Sequence, residues 1–255
     1  MKVLIKLYNK SKIWFAILWI IAYCMLMSVG DALSELIGIN KLVTLVIGAV
    51  LSIILLLFLK NNQLSSEYGL CAPKVLAKSM LYYAPIFLML SVNLWYGVKL
   101  NYNPLETMLY VLAMFFVGFL EEIIFRGLLF EAMKEESLKA AIIVSSVTFG
   151  IGHIINLING SGAELIPNLL QVVYATSAGF MFVMMYYKSK SLLVCIGAHG
   201  LFNALSAFAN EAGATQKMQI FTACMLTVIT ASYALYLALS KNEAINNSKE
   251  NKKWQ

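Results

Sequence analysis

Three charged side chains lie within one apolar segment, in the stretch F-L-E-E-I-I-F-R-G: Glu121, Glu122 and Arg126. A charge at the centre of a membrane helix costs about 2.5–3.5 kcal/mol, so these residues must face protein or water and not lipid. Glu122 and Arg126 are four residues apart, which predicts an ion pair on one helix face. Glu121 points about 100° away and is available to a neighbouring helix. We therefore predict one structural and one reactive carboxylate.

The two histidines of the chain also lie in apolar segments. His153 ends the stretch F-G-I-G-H, in which Gly150 and Gly152 are expected to let another helix come close. His199 opens the stretch H-G-L-F-N, so Asn203 lies on the same helix face as His199. Arg126 is the sole arginine of the chain, so its histidines and its arginine occur only in these three segments.

These residue types together are suited to the hydrolysis of an amide. A glutamate beside a histidine can take a proton from water, and a histidine with an asparagine amide can stabilise an oxyanion. Simpler roles stay open for each of them. Glu122 and Arg126 could form a structural pair only, a buried histidine could be a satisfied core residue, and Asn203 could join two helices.

The elements that must position these groups are membrane helices. The chain has 255 residues, of which 60% are hydrophobic and 13% charged, and its mean hydropathy is +0.77. This composition excludes an ordinary soluble domain. Because about 20 apolar residues cross a bilayer, we predict an all-α, polytopic transmembrane helix bundle with eight spans, one of them kinked at Pro85. The predicted spans are residues 13–29, 42–59, 76–95, 108–130, 140–158, 169–187, 192–208 and 218–239.

The distribution of positive charge predicts the orientation of this bundle. With eight spans, all 19 basic residues except Lys41, Lys99 and Lys217 fall on the side of the two termini. Cytoplasmic loops collect Lys and Arg, so both termini are predicted to be cytoplasmic. Residues 1–240 then form a single transmembrane domain, and residues 241–255 form a polar cytoplasmic tail.

The net charge of +6 is explained by contact with membrane lipid, and no nucleic-acid partner is implied. The four cysteines show no C-x-x-C pair and are expected to be packing residues.

In these motifs the chain resembles the CAAX prenyl protease type II and bacteriocin-processing family, often shortened to CPBP or Abi. The motifs of that family are E-E-x-x-x-R, F-x-x-x-H and H-x-x-x-N/D on three successive functional helices. All three are intact and in order here, with Phe149 four residues before His153. The resemblance covers about residues 108–208 and leaves the first three spans and the last one unassigned.

The resemblance implies a glutamate-dependent intramembrane endopeptidase. Glu121 with His153 would activate water, His199 with Asn203 would form the oxyanion site, and Glu122 with Arg126 would orient and support Glu121. No cofactor is expected, and a zinc ion held by Glu121, His153 and His199 is the minority alternative. The implied substrate is a membrane-associated peptide or a lipidated protein. We expect a site open to the cytoplasmic leaflet of a bacterial cell membrane, since the Lys- and Asn-rich, Arg-poor composition is typical of AT-rich bacterial genomes.

Other functions are consistent with parts of the pattern. Intramembrane Glu and His residues also form proton relays, so a proton-coupled transporter is one alternative, and a non-catalytic immunity or scaffold protein is another. The chain has no H-E-x-x-H, G-x-G-D or G-x-S-G motif of other intramembrane proteases. One distance conflicts with the site: His153 would lie about 20 Å from Lys139 along a helix, deeper than its expected partners.

Overall fold

The computed structural model describes residues 2–157, 159, 164–210 and 213–240, and within them it is a bundle of helices. Six of these helices are long and apolar enough to cross a membrane, which confirms the predicted polytopic helical bundle. Apart from one isolated bridge between Val98 and Ala209, the described residues form no β-structure. The predicted polar tail, residues 241–255, lies outside the described residues.

The α-helices are numbered in chain order. They are α1 (Lys2–Lys10), α2 (Lys12–Ile37), α3 (Leu42–Asn61), α4 (Ala84–Ser91), α5 (Pro104–Glu121), α6 (Glu131–Lys134), α7 (Leu138–Gly152), α8 (Leu165–Ser189), α9 (Leu193–Leu205) and α10 (Gln216–Leu239). A π-helix, Glu122–Phe130, joins α5 to α6 without a break. Short 3-10 helices are found at Ala77–Tyr83, Val92–Leu94, His153–Leu157 and Ser206–Phe208.

Polar side chains mark where four of the helices begin. In each case a side-chain oxygen just before the helix accepts a hydrogen bond from a backbone N–H in the first turn. That bond satisfies one of the donors that the start of a helix leaves without a partner. The capping residues are Ser11 for α2, Asn103 for α5, Ser137 for α7 and Thr215 for α10.

Two of the eight predicted spans are shorter than expected. In the span predicted at 76–95, Leu81, Tyr82 and Tyr83 have positive φ angles of 49°, 52° and 59°, so the chain turns sharply before the eight residues of α4. Pro85 lies in the first turn of α4, where its missing N–H costs nothing, and the predicted mid-helix kink is wrong. The segment predicted at 192–208 is the 13-residue α9 followed by a 3-10 turn.

The helix ends contact one another at two opposite ends of the bundle. At one end, which we call the terminal end, the Tyr8 and Tyr68 hydroxyls lie 2.7 Å apart and the Lys74 N–H donates to Ser189 O. At the opposite end, the distal end, the Asn101 amide donates to Ala207 O and Ala209 O. Four further contacts join the distal turns: Asn40 with Glu106, Tyr96 with Met218, Tyr110 with Ser206, and Lys99 with Phe208.

Aromatic side chains fill the terminal end of the bundle. Phe15 and Phe58 have ring centroids 4.9 Å apart, and the Phe130 and Tyr186 rings are 5.9 Å apart. Tyr68, from the segment between α3 and the first 3-10 turn, completes this aromatic cluster, and all five side chains are buried. Because protein interiors are closely packed, the cluster closes the bundle at this end.

Glycines let the helices that carry the candidate site come unusually close. A methyl group on Gly118 of α5 would stand 2.6 Å from the backbone nitrogen of Gly200 of α9. Gly150 of α7 is packed in the same way against the Thr176 backbone nitrogen, at 2.7 Å, whereas nothing lies within 4 Å at Gly152. The Gly118 crossing brings the residue after His199 against the helix turn that precedes Glu121. Only Gly150 of the expected pair on α7 therefore allows close approach.

Candidate active site

The helix geometry changes between the two glutamates of the E-E motif. Glu121 is the last residue of α5, and Glu122 is the first of the π-helix, all nine residues of which are buried. A π-helix has weaker packing along its axis than an α-helix and is found mostly as a single turn, often at a functional site. Its presence here indicates that positioning these side chains is favoured over regular helix geometry.

The imidazole of His199 lies between the two carboxylates. Its Nδ1 is 2.8 Å from Glu122 Oε1, and its Nε2 is 3.3 Å from Glu121 Oε2. Although Glu121 and Glu122 point in different directions on their helix, both reach the same ring from opposite sides. The sequence suggested separate partners for them, and this common partner was not anticipated.

The two contacts of His199 are not equivalent for a neutral ring. A neutral imidazole carries one N–H, so it can donate to only one of two carboxylates. Both contacts of His199 are hydrogen bonds only when the ring or Glu121 carries an additional proton.

The expected ion pair between Glu122 and Arg126 forms. Arg126 Nη1 is 3.1 Å from Glu122 Oε1, and both side chains are 0% exposed. The guanidinium also lies 4.1 Å from the centroid of the Phe149 ring and 5.5 Å from that of Phe182, a favourable position for a cation. Glu122 Oε2, Arg126 Nε and Arg126 Nη2 have no hydrogen-bond partner among the described residues. The pair is enclosed by aromatic rings and by His199.

Tyr23 of α2 is a site residue that the sequence did not indicate. Its hydroxyl donates a hydrogen bond of 2.8 Å to Glu121 Oε1, and its side chain is buried. Each oxygen of the Glu121 carboxylate therefore has one protein partner, Tyr23 or His199. A tyrosine in an apolar helix gives no distinctive signal, and the family resemblance leaves the first three spans unassigned.

His153 is the first residue beyond α7. Its Nδ1 is 3.1 Å from Phe149 O, and its backbone oxygen accepts a hydrogen bond from the Asn168 amide. The Phe149 ring separates the two histidines, with its centroid 5.1 Å from that of His153 and 5.6 Å from that of His199. His153 makes no hydrogen bond with Glu121 in the described structure, but both side chains line one cavity.

This cavity has a volume of about 550 Å³ and reaches from Glu121 towards the distal end. The cavity extends along the distal half of the bundle, where α7 ends, so His153 lines it despite its depth. A second cavity of about 50 Å³ adjoins it and is lined by both histidines. Asn203 lines both cavities, whereas Glu122 and Arg126 line neither.

The positions of Glu121, His153 and His199 bear on the zinc alternative. Both ring nitrogens of His199 lie against carboxylate oxygens, and Nδ1 of His153 lies against a backbone oxygen. Among the residues that the structure describes, no three His, Cys, Asp or Glu side chains are grouped as metal ligands would be. A zinc ion on Glu121, His153 and His199 would require His199 to release Glu121, and the alternative stays a prediction.

Comparison with known proteins identifies a family for the central part of the chain. Residues 103–205 match the family described as type II CAAX prenyl endopeptidase Rce1-like, and all six site residues predicted from the sequence fall within this match. No curated protein matches the chain, and no solved structure does. The E-E-x-x-x-R, F-x-x-x-H and H-x-x-x-N motifs lie on neighbouring helices within this match, so residues 103–205 are similar to the CAAX protease (CPBP) family of membrane endopeptidases, as the motifs predicted.

Proposed function

We propose that this protein hydrolyses a peptide bond in a membrane-associated peptide or CAAX-type substrate, with Glu121 as the base that activates water. One observation carries the proposal: Glu121 lies at the inner end of a 550 Å³ cavity, held at one oxygen by Tyr23 and at the other by His199. A carboxylate that is both fixed in place and in contact with a cavity can accept a proton from a bound water molecule.

The reaction needs only groups that line the cavity or contact Glu121. A water molecule between Glu121 and His153 attacks the carbonyl carbon of the substrate, and its proton passes to Glu121. The Asn203 amide donates to the oxyanion that forms. Glu121 then returns the proton to the leaving nitrogen, and the C–N bond breaks to give a carboxylic acid and an amine, which exchange a proton to form carboxylate and ammonium.

His199 has a position that supports proton sharing with Glu121. It could donate to an oxyanion, as the family resemblance implies, only by giving up the 3.3 Å contact of Nε2 with Glu121 Oε2. Glu122 fixes the other ring nitrogen, and Arg126 fixes Glu122. We infer that Glu122 and Arg126 orient the base through His199, not by touching Glu121 directly.

The test is cleavage by the purified, detergent-solubilised protein. A farnesylated CAAX-type peptide and a mixture of unmodified peptides are offered, and the products are identified by mass spectrometry. We expect Glu121→Gln to lower kcat by about 10²–10⁴-fold, the usual contribution of a general base. Glu135→Gln, in an exposed turn of the same chain, is the matched control and should retain full activity.

Two further experiments, one with histidine variants and one with a chelator, test the proposed roles of the histidines and the metal-dependent alternative. His153→Ala and His199→Ala should each lose most of the activity, and cleavage should persist in the presence of a chelator. If Glu121→Gln and both histidine variants cleave as well as wild type, the proposed function is wrong. Loss of wild-type cleavage with chelator, restored by zinc, would establish the metal-dependent alternative.

A further inference from the structure

The cavity that contains Glu121 leads to the distal end of the bundle. Five of its outermost lining residues come from four different distal turns or helix ends. The inner wall is formed by residues near the centres of α2, α5 and α10, including Tyr23 and Leu226. The outer residues are Asp31, Lys41, Tyr96, Asn210 and Gln219.

The terminal end offers no comparable route. No lining residue comes from the described segment 60–76, from α6 or from the start of α9. Instead, the aromatic cluster of Phe15, Phe58, Tyr68, Phe130 and Tyr186 lies there, and its members are at most 2% exposed. Among the described residues, the cavity therefore connects Glu121 with the distal end, and the terminal end does not contribute to its lining.

The charge distribution assigns the distal end to a side of the membrane. Of the described basic residues, the distal turns and helix starts carry Lys41, Lys99 and Lys217. The terminal end carries many more, and a bundle with such a bias inserts with its basic end in the cytoplasm. The basic residues of the terminal end are Lys2, Lys6, Lys10, Lys12, Lys60, Lys74, Lys78, Lys134, Lys139, Lys188 and Lys190.

We infer that the cavity opens to the extracytoplasmic side, and that the substrate is a peptide segment exposed on that side of the membrane. The second half of this inference rests on the proposed function. The inferred opening lies on the opposite side of the membrane from the cytoplasmic opening expected from the sequence. That expectation rested on distances counted along helices, which do not reveal at which end of the bundle the helices separate.

The chemistry of the cavity wall agrees with a peptide substrate. Side-chain amides recur from the mouth to the catalytic group, and a peptide backbone needs such paired donors and acceptors when it leaves water. A long isoprenoid chain would instead be stabilised by a continuous apolar wall. The volume is within the range of pockets that enclose a small ligand or a few residues. The amide residues along the wall include Gln171, Asn203, Asn210 and Gln219.

Thiol labelling in intact cells tests the direction of access. Three variants each keep one cysteine, with the other native cysteines replaced by alanine. The first keeps Cys24, which lines the cavity beside Tyr23. The second carries Gln219→Cys at the mouth, and the third carries Lys74→Cys at the exposed terminal end. A small, charged, membrane-impermeant methanethiosulfonate is the probe.

We expect the probe to modify Gln219→Cys and Cys24 in intact cells at least tenfold faster than Lys74→Cys, and to modify all three variants after permeabilisation. Labelling of Lys74→Cys in intact cells, with Gln219→Cys protected, would show the opposite orientation and overturn the inference. Labelling of Gln219→Cys with Cys24 protected under both conditions would overturn it too, because the cavity would then not connect with water.

Labelling does not depend on catalysis, so this result and the proposed function can fail separately. The same three variants are repeated with Glu121→Gln, and we expect the same labelling pattern. If that pattern holds while the purified wild type cleaves no peptide, the direction of access stands and the proposed peptidase function falls.

Discussion

The hydroxyl of Tyr23 lies 2.8 Å from Glu121 Oε1 and donates a hydrogen bond to it. Tyr23 belongs to α2, which precedes the segment that matches the family, residues 103–205. The candidate base is therefore held in part by a helix outside that segment. The first span, to which the sequence assigned no role, contributes to the site.

Replacing Tyr23 by phenylalanine should lower kcat by about 10–100-fold. The lost hydrogen bond is one to a charged group, worth about 1.5–3 kcal/mol, and a phenylalanine ring retains the packing. Tyr23 is a positioning residue, so we expect KM to change little. Steady-state kinetics on a cleaved peptide separates the two parameters. Tyr82→Phe, at an exposed position, is the control, and an unchanged kcat in Tyr23→Phe would contradict the assignment.

Loss of Arg126 should destabilise the protein strongly. In Arg126→Met the carboxylate of Glu122 stays fully buried without its cation, and breaking a buried pair in this way costs about 3–5 kcal/mol. Unfolding by denaturant in detergent measures the change. Lys12→Met, which breaks the exposed pair with Glu67, should cost less than about 1 kcal/mol.

A double variant shows whether the Arg126 effect comes from the unpaired charge. Glu122→Gln combined with Arg126→Met removes both charges and should be more stable than Arg126→Met alone. If the double variant is the less stable of the two, the contact of the Glu122 carboxylate with His199 Nδ1 contributes more than its unpaired charge costs.

The close crossing of α5 and α9 should not tolerate a methyl group. In Gly118→Ala the new carbon would lie 2.6 Å from the Gly200 backbone nitrogen, so the helices must separate and His199 must move away from the carboxylates. We expect lower thermal stability and a loss of activity. Gly197→Ala on α9, with nothing within 4 Å, should be neutral or stabilise by up to about 1 kcal/mol. Equal stability of the two variants would refute this account.

Removal of the Asn203 amide should act on the chemical step. An oxyanion donor contributes about 10²–10³-fold to kcat, and Asn203→Ala is expected to lose that factor with little change in KM. Asn93→Ala is a suitable comparison, because the Asn93 amide also lines the cavity but already donates to Phe202 O. A similar kcat in the two variants would exclude Asn203 as an oxyanion donor.

The sequence predicted the helical class and the segments that meet at the site, since charge in an apolar segment is costly and must have a reason. The pairing of Glu122 with Arg126 followed from helical spacing alone. The contact of both glutamates with His199 did not follow, because it depends on the Gly118 crossing and on the relative rotation of two helices.

Other features of the structure have no local signal in the sequence. The change to a π-helix at Glu122 depends on packing from all sides, and no residue type marks it. The turn at Leu81, Tyr82 and Tyr83 uses backbone conformations that these residue types rarely adopt, so composition favoured an unbroken span. The side on which the cavity opens depends on where helices separate, which the order of the spans does not specify.

The aromatic cluster at the terminal end has an electrical consequence. A cavity filled by outside water has the electrical potential of that water, so the membrane voltage falls across the cluster beneath it. Moving one elementary charge across a membrane voltage of 100 mV takes about 2.3 kcal/mol of work. An ion that crossed the cluster would require this work, whereas a proton that moves between the cavity and Glu121 would not. The proposed proton transfer at Glu121 would therefore not depend on the membrane voltage and would not require a path for ions across the cluster.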